Sequence, residues 1–120
     1  MSAILRLITL EAIKTRDPDG TDKIDIDVQP DSNGLGIAQT GVSEGLAIIL
    51  DEEIFFDNIR RTEFEERVRI RIFHENSFSD VQTLIETKFV MADEAGPGRR
   101  KKKFEGEGAH YELTYEVLAG

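Results

Sequence analysis

The sequence predicts an all-β, antiparallel sandwich of eight strands. Two observations carry that expectation: apolar and polar residues alternate with period two along several segments, and turn-forming clusters punctuate the chain at near-regular spacing. The alternation is also one-sided. Parallel strands, covered on both faces, would read as continuous apolar runs.

Four segments show the alternation clearly. Near the start, Ile8 and Leu10 alternate with Thr9 and Glu11. Ile24, Ile26 and Val28 face one way while Lys23, Asp25 and Asp27 face the other. Val68, Ile70 and Ile72 alternate with Arg67, Arg69 and Arg71, and Tyr111, Leu113, Tyr115 and Val117 with Glu112, Thr114 and Glu116. Weaker strands are expected at Leu35 to Gln39, Leu46 to Leu50, Ile54 to Phe56 and Leu84 to Met91. Between them lie Gly-, Pro- and Asp-rich turns at 17–21, 29–34, 41–45 and 92–98. The stretch Asp57 to Glu66 reads as a short helix or a charged loop. With no repeat and no linker, the 120 residues are expected to form one domain, 1–120, large enough to bury a two-layer core.

Composition narrows the function classes. The chain has no Cys and no Trp, so disulfides, thiolate chemistry and cysteine-based metal sites are excluded, and the core must come from Ile, Leu, Val and seven Phe. A net charge of −9 disfavours general nucleic-acid binding, because phosphates meet a repelling surface. The first residues, MSAILRLITLEAIK, lack a basic segment followed by a long apolar run. No signal peptide or transmembrane segment is read there, and the expected location is the cytoplasm or an assembly loaded from it.

Clustered carboxylates and one basic run are the candidate sites. Asp17, Asp19 and Asp22 crowd the first turn, and an aromatic strand ends in a polar loop holding Glu75, Asn76 and Asp80. Together these six could hold Ca²⁺, which takes six to eight oxygens. An EF-hand is excluded, since the sixth position from Asp17 is Asp22 rather than Gly and the twelfth is Val28 rather than Glu. The other reading is that Asp and Gly only shape a hairpin turn and that the second loop is ordinary surface. His74 stands beside this loop, but the only other histidine is His110, and no nucleophile–base–orienter set can be named. The chain is therefore expected not to be an enzyme. The paired carboxylates among Asp51, Glu52, Glu53, Asp57 and Glu63–Glu66 lack the aromatic cleft of a glycosidase and read as solvated turns. The run Arg99, Arg100, Lys101, Lys102 and Lys103 is either a mobile loop held open by its own repulsion, a grip for anionic lipid, or a contact with an acidic patch of a partner.

Three stretches resemble a known family. Gly20-Thr21-Asp22-Lys23-Ile24-Asp25-Ile26 is similar to the strand opening of the C-two domain, the calcium- and lipid-binding β-sandwich of protein kinase C and synaptotagmin. Val68 to Asp80 resembles that family's strand and third calcium loop, and Gly106 to Val117 its closing strand. The resemblance spans roughly Ile8 to Val117, though about 25 positions carry it. It implies a C-two-like sandwich with degenerate calcium loops: His74 and Asn76 stand where the family places aspartates, Asp80 keeps its carboxylate, and Asp22 matches in the first loop with Asp17 as companion. Two lost anionic ligands imply a steep fall in Ca²⁺ affinity. The expected role is a non-enzymatic module making protein–protein or self-contacts in a larger assembly. The alternative is a Ca-dependent binder of anionic membrane or another ligand.

Overall fold

The computed structural model describes residues 2–31, 34–76 and 81–120, and gives no account of the side chains at 53–55 and 57. The chain runs through strands β1 (Ala3–Lys14), β2 (Thr21–Pro30), β3 (Gly36–Ser43) and β4 (Ala47–Ile49), then helix α1 (Glu53–Arg60). Strands β5 (Arg61–Phe64), β6 (Arg67–Glu75), β7 (Gln82–Met91), β8 (Arg100–Gly106) and β9 (Ala109–Ala119) follow, with one 3-10 turn at Ala92–Glu94. Two sheets form: β4-β1-β9-β8, with β5 also on β1, and β3-β2-β6-β7. Every pair of these strands is antiparallel.

The alternating residues face each other between the sheets. Leu5, Leu7 and Leu10 of β1 and Tyr111, Leu113, Tyr115 and Val117 of β9 meet Ile24, Ile26 and Val28 of β2 and Val68, Ile70 and Ile72 of β6 in one buried core. Each such side chain contributes roughly 1.5–3 kcal/mol by leaving water. The all-β sandwich is thus as expected.

Its details differ in three places. Nine strands are described rather than eight, because Ile54 to Phe56 drops out while β5 and β8 are added; β5 lies where the sequence predicts a short helix or charged loop, and occupies one half of β1's edge (Leu5 opposite Thr62) while β4 occupies the other (Leu10 opposite Ile48). Ile54 to Phe56 is not a strand but lies inside α1, whose Phe56 and Ile59, three residues apart, are both buried. The helix can lie against β3 because position 36 is glycine: a Cβ there would meet the Asn58 carbonyl oxygen at 2.3 Å. Finally, the cationic run is not a loop. It enters β8, where Lys101 pairs with Glu112 (3.3 Å), Arg99 with Glu116 (3.7 Å) and Lys102 with Glu94 (3.9 Å). Carboxylates from distant sequence positions thereby offset the repulsion that local charge counting emphasises.

Candidate functional site

The β1–β2 turn, the end of β6 and the β8–β9 hairpin converge at one end of the sandwich. Gly20 closes the first turn at φ +82°, donating its N–H to the Asp17 carbonyl (3.1 Å). Glycine reaches that left-handed region without the steric penalty of a Cβ. Asp19 spends one oxygen on the Thr21 N–H (2.9 Å) and hydroxyl (3.1 Å), fixing the entry to β2. Asp22, 2% exposed, is the knot of this end. It accepts the Arg16 N–H (2.8 Å), the Asp17 N–H (2.9 Å) and the Tyr111 hydroxyl. Burial and the Asp22 carboxylate raise the Tyr111 phenol well above its usual range.

His74, 1% exposed, arrives from β6 beside Ile24. Its Nε2 lies 3.2 Å from Asp17 Oδ1 and 3.5 Å from Asp22 Oδ1. Neither oxygen meets hydrogen-bond geometry with that nitrogen, so the contact is electrostatic. On its other side, Nδ1 faces Arg16 Nη1 at 3.3 Å and Asn76 Oδ1 at 3.2 Å. A guanidinium only donates and an amide oxygen only accepts, so Nδ1 can hydrogen-bond to one of these two neighbours at a time: Arg16 with Nδ1 as acceptor, or Asn76 with Nδ1 as donor. Asn76 is oriented by donating its amide to the Val81 carbonyl (2.6 Å) and Thr83 hydroxyl (3.3 Å). Its Oδ1 then accepts from Arg16 Nη1 (2.9 Å). Arg16 lies across the solvent side, where its Nε donates to the Glu107 carbonyl (3.1 Å). Glu107 (φ 51°) and Gly108 (φ 85°) form the two-residue turn of the β8–β9 hairpin, with the positive φ pair that such turns require.

Among the described residues, the ligand atoms of Asp17, Asp22 and His74 lie within 4.8 Å of one another. This donor set does not suit Ca²⁺. The ion takes six to eight oxygens, whereas here three donors already engage Asp22, an imidazole nitrogen lines the wall, and the Arg16 guanidinium supplies positive charge at the same mouth.

The structure therefore brings Asp17, Asp22 and Asn76 together with His74. Asp19 sits apart in its turn, and Asp80 lies outside the described residues. Glu75 faces the other way, onto the outer side of the β3-β2-β6-β7 sheet, where it accepts from Gln39 Nε2 (2.7 Å). Sequence reading missed Arg16 and Tyr111. A cation adjoining Asp17 was the signal for the first; the second had none beyond its place on an alternating strand.

No family model and no curated protein matches the chain by sequence. Solved structures match it by shape. A C2 domain of plant extended synaptotagmin 1 superposes with a TM-score of 0.62 at 6% identity, over 99% of this chain and 95% of that one. A structure described only as a C2 domain gives 0.54 at 13% identity, over 99% of both chains. Human GIVD cytosolic phospholipase A2 gives 0.56 at 10% identity; this chain covers 17% of it, the stretch that is its C2 domain. No helix among the described residues is long and apolar enough to cross a membrane. The chain has the C2-type fold: an all-β sandwich of two antiparallel sheets whose loop end carries a network of Asp17, Asp22 and His74.

Proposed function

We propose that the chain, as one domain, is a non-enzymatic C2-like module that makes protein contacts within an assembly. The observation that carries this reading is the state of the loop end. Asp22 is engaged by three donors and Arg16 spans the mouth to Asn76, so the chain's own groups already take up most of what Asp22 could offer an ion and place a cation at the entrance. A site closed in this way gains little from an added calcium ion, because the ion must displace Arg16 and compete for Asp22. The sheet surfaces are then what remains for recognition.

The basic strand β8 is the natural contact for an acidic partner, since Lys103 and Arg100 are exposed and have no carboxylate partner among the described residues. Co-sedimentation with anionic vesicles, in EDTA and in Ca²⁺, tests the reading. The expected result is the same low bound fraction in both. Calcium-dependent sedimentation would instead establish the membrane-binding alternative.

A further inference from the structure

The outward face of the β3-β2-β6-β7 sheet takes no part in the loop end. Its charged residues are unevenly spread along the strands. At one end Asp25 and Glu75 form an acidic pair, bridged by Gln39, with exposed Lys23 at the next outward position of β2; at the other, Arg67 and Arg69 form a basic pair beside Asp31. Between them Asp27 holds Arg71 through both carboxylate oxygens (3.0, 3.0 and 2.6 Å).

Two features distinguish this face from ordinary solvated sheet. The first is unmatched charge. Asp25 is 5% exposed, one of its oxygens has no hydrogen-bond partner, and burial beside Glu75 and Asp27 raises its carboxyl. Arg69 Nε is likewise shielded without a partner, and no carboxylate pairs with this guanidinium among the described residues. A buried carboxylate in that state is costly, and the half-buried Arg69 offers a cation to offset it. The second is composition. Ile37 (48% exposed), Leu84 (44%), Phe89 (43%) and Met91 (41%) all lie on this face. Arg67 stacks on Phe89 (5.2 Å to the ring centre) and Arg71 on Phe73 (5.1 Å). Arg, Met and aromatic residues are the types enriched in interfaces, where they supply most of the binding energy.

We propose that this face is the contact between two copies of the chain, stacked about a two-fold axis near the Asp27–Arg71 pair. Each copy's Arg69 then meets the other's Asp25–Glu75 pair. The occupant is a second copy because the two pairs are complementary to each other: a two-fold contact sets residue i against j and j against i. Arg69 and Glu75, six residues apart on β6, are about 20 Å apart at ~3.3 Å per residue. That separation fits within a patch of roughly 800 Å² per partner, the usual size of a stable contact. The inference deepens the assembly reading above by naming one partner and one surface.

Sedimentation equilibrium over a wide concentration range tests it, with a thermal melt confirming that each variant is folded. The wild-type chain is expected to dimerise. Arg69→Glu and Glu75→Arg, each alone, place like charges together and are expected to weaken the dimer by at least roughly tenfold. Mixing the two variants in equal amounts is expected to restore it, since both cross-pairs are again opposite. Phe89→Ala, at an exposed position, is expected to weaken the dimer without changing charge. A wild-type chain that stays monomeric throughout overturns the inference. So does a dimer indifferent to Arg69→Glu, Glu75→Arg and Phe89→Ala, although association through another face would leave the assembly reading intact. Calcium-dependent vesicle binding would remove that reading without touching the dimer result.

Discussion

Asp22 and Asp25 stand three positions apart on β2, both buried and both acidic, and the fold treats them in opposite ways. Asp22 points inward at the loop end and receives the Arg16 and Asp17 N–H groups and the Tyr111 hydroxyl. Asp25 points outward through the other face of the sheet, where its neighbours are Gln39, Glu75 and Asp27, and one oxygen is unpartnered. Burial alone says little about a carboxylate's role; the donors around it decide. At the loop end the chain supplies three donors to Asp22, although His74 Nε2 beside it has no hydrogen bond; on the outer sheet face Asp25 has carboxylates for neighbours, and the proposed contact would supply the missing cation.

The comparison breaks most sharply at Asp22. Asp22→Ala strands two backbone N–H groups and a phenol, and is expected to lower stability by about 3–5 kcal/mol in urea unfolding. Tyr111→Phe removes one of those donors and is expected to cost about 1–2 kcal/mol by the same measurement. Asp25 should behave in the reverse sense. Its folded carboxyl is raised, chiefly by burial and then by Glu75, so the folded state holds the proton more tightly than the unfolded chain. Ionisation therefore destabilises the fold, and the penalty accrues as pH rises through the raised value. Asp25→Asn is expected to stabilise the dilute monomer at pH 7 by on the order of 1 kcal/mol, a gain that vanishes at pH 3, where Asp25 is already protonated. Melting both chains across that pH range checks the sign. The smallest effect belongs to Arg16→Ala. Its side chain is exposed, so the loss is expected to stay below about 1 kcal/mol.

Much of this fold could be read from the chain. The alternation in β2, β6 and β9 names the core residues that the sheets bury, because each of these strands has one wet and one dry face. The segments that escaped were governed by distant partners. Strand β5 is four residues long with charges at Arg61 and Glu63, and it is a strand because β1 offers Ala3 to Arg6 as a template. Strand β8 looks self-repelling until Glu94, Glu112 and Glu116 are placed beside it. At the loop end, the crowding of Asp17 and Asp22 with His74 and Asn76 was legible from the resemblance and its departures. The closure was not, since Arg16, Tyr111 and the Glu107 carbonyl reach it from three separate elements. On the outer sheet face, Arg67, Arg69 and Arg71 on one strand were visible in the chain, but which of them meets a carboxylate depends on register: Arg71 faces Asp27, whereas no ion pair of Arg69 forms among the described residues.

The central claim is that the loop end is closed by the chain's own groups, and a thermal melt in excess EDTA and again in about 1 mM Ca²⁺ tests it most directly. A ligand at about 100 times its dissociation constant adds ~2.7 kcal/mol to the folded state, which raises the midpoint of a domain this size by roughly 10 °C. The account predicts superimposable melts. A rise of that size would contradict it, showing that calcium displaces Arg16 and takes Asp17 and Asp22 for itself.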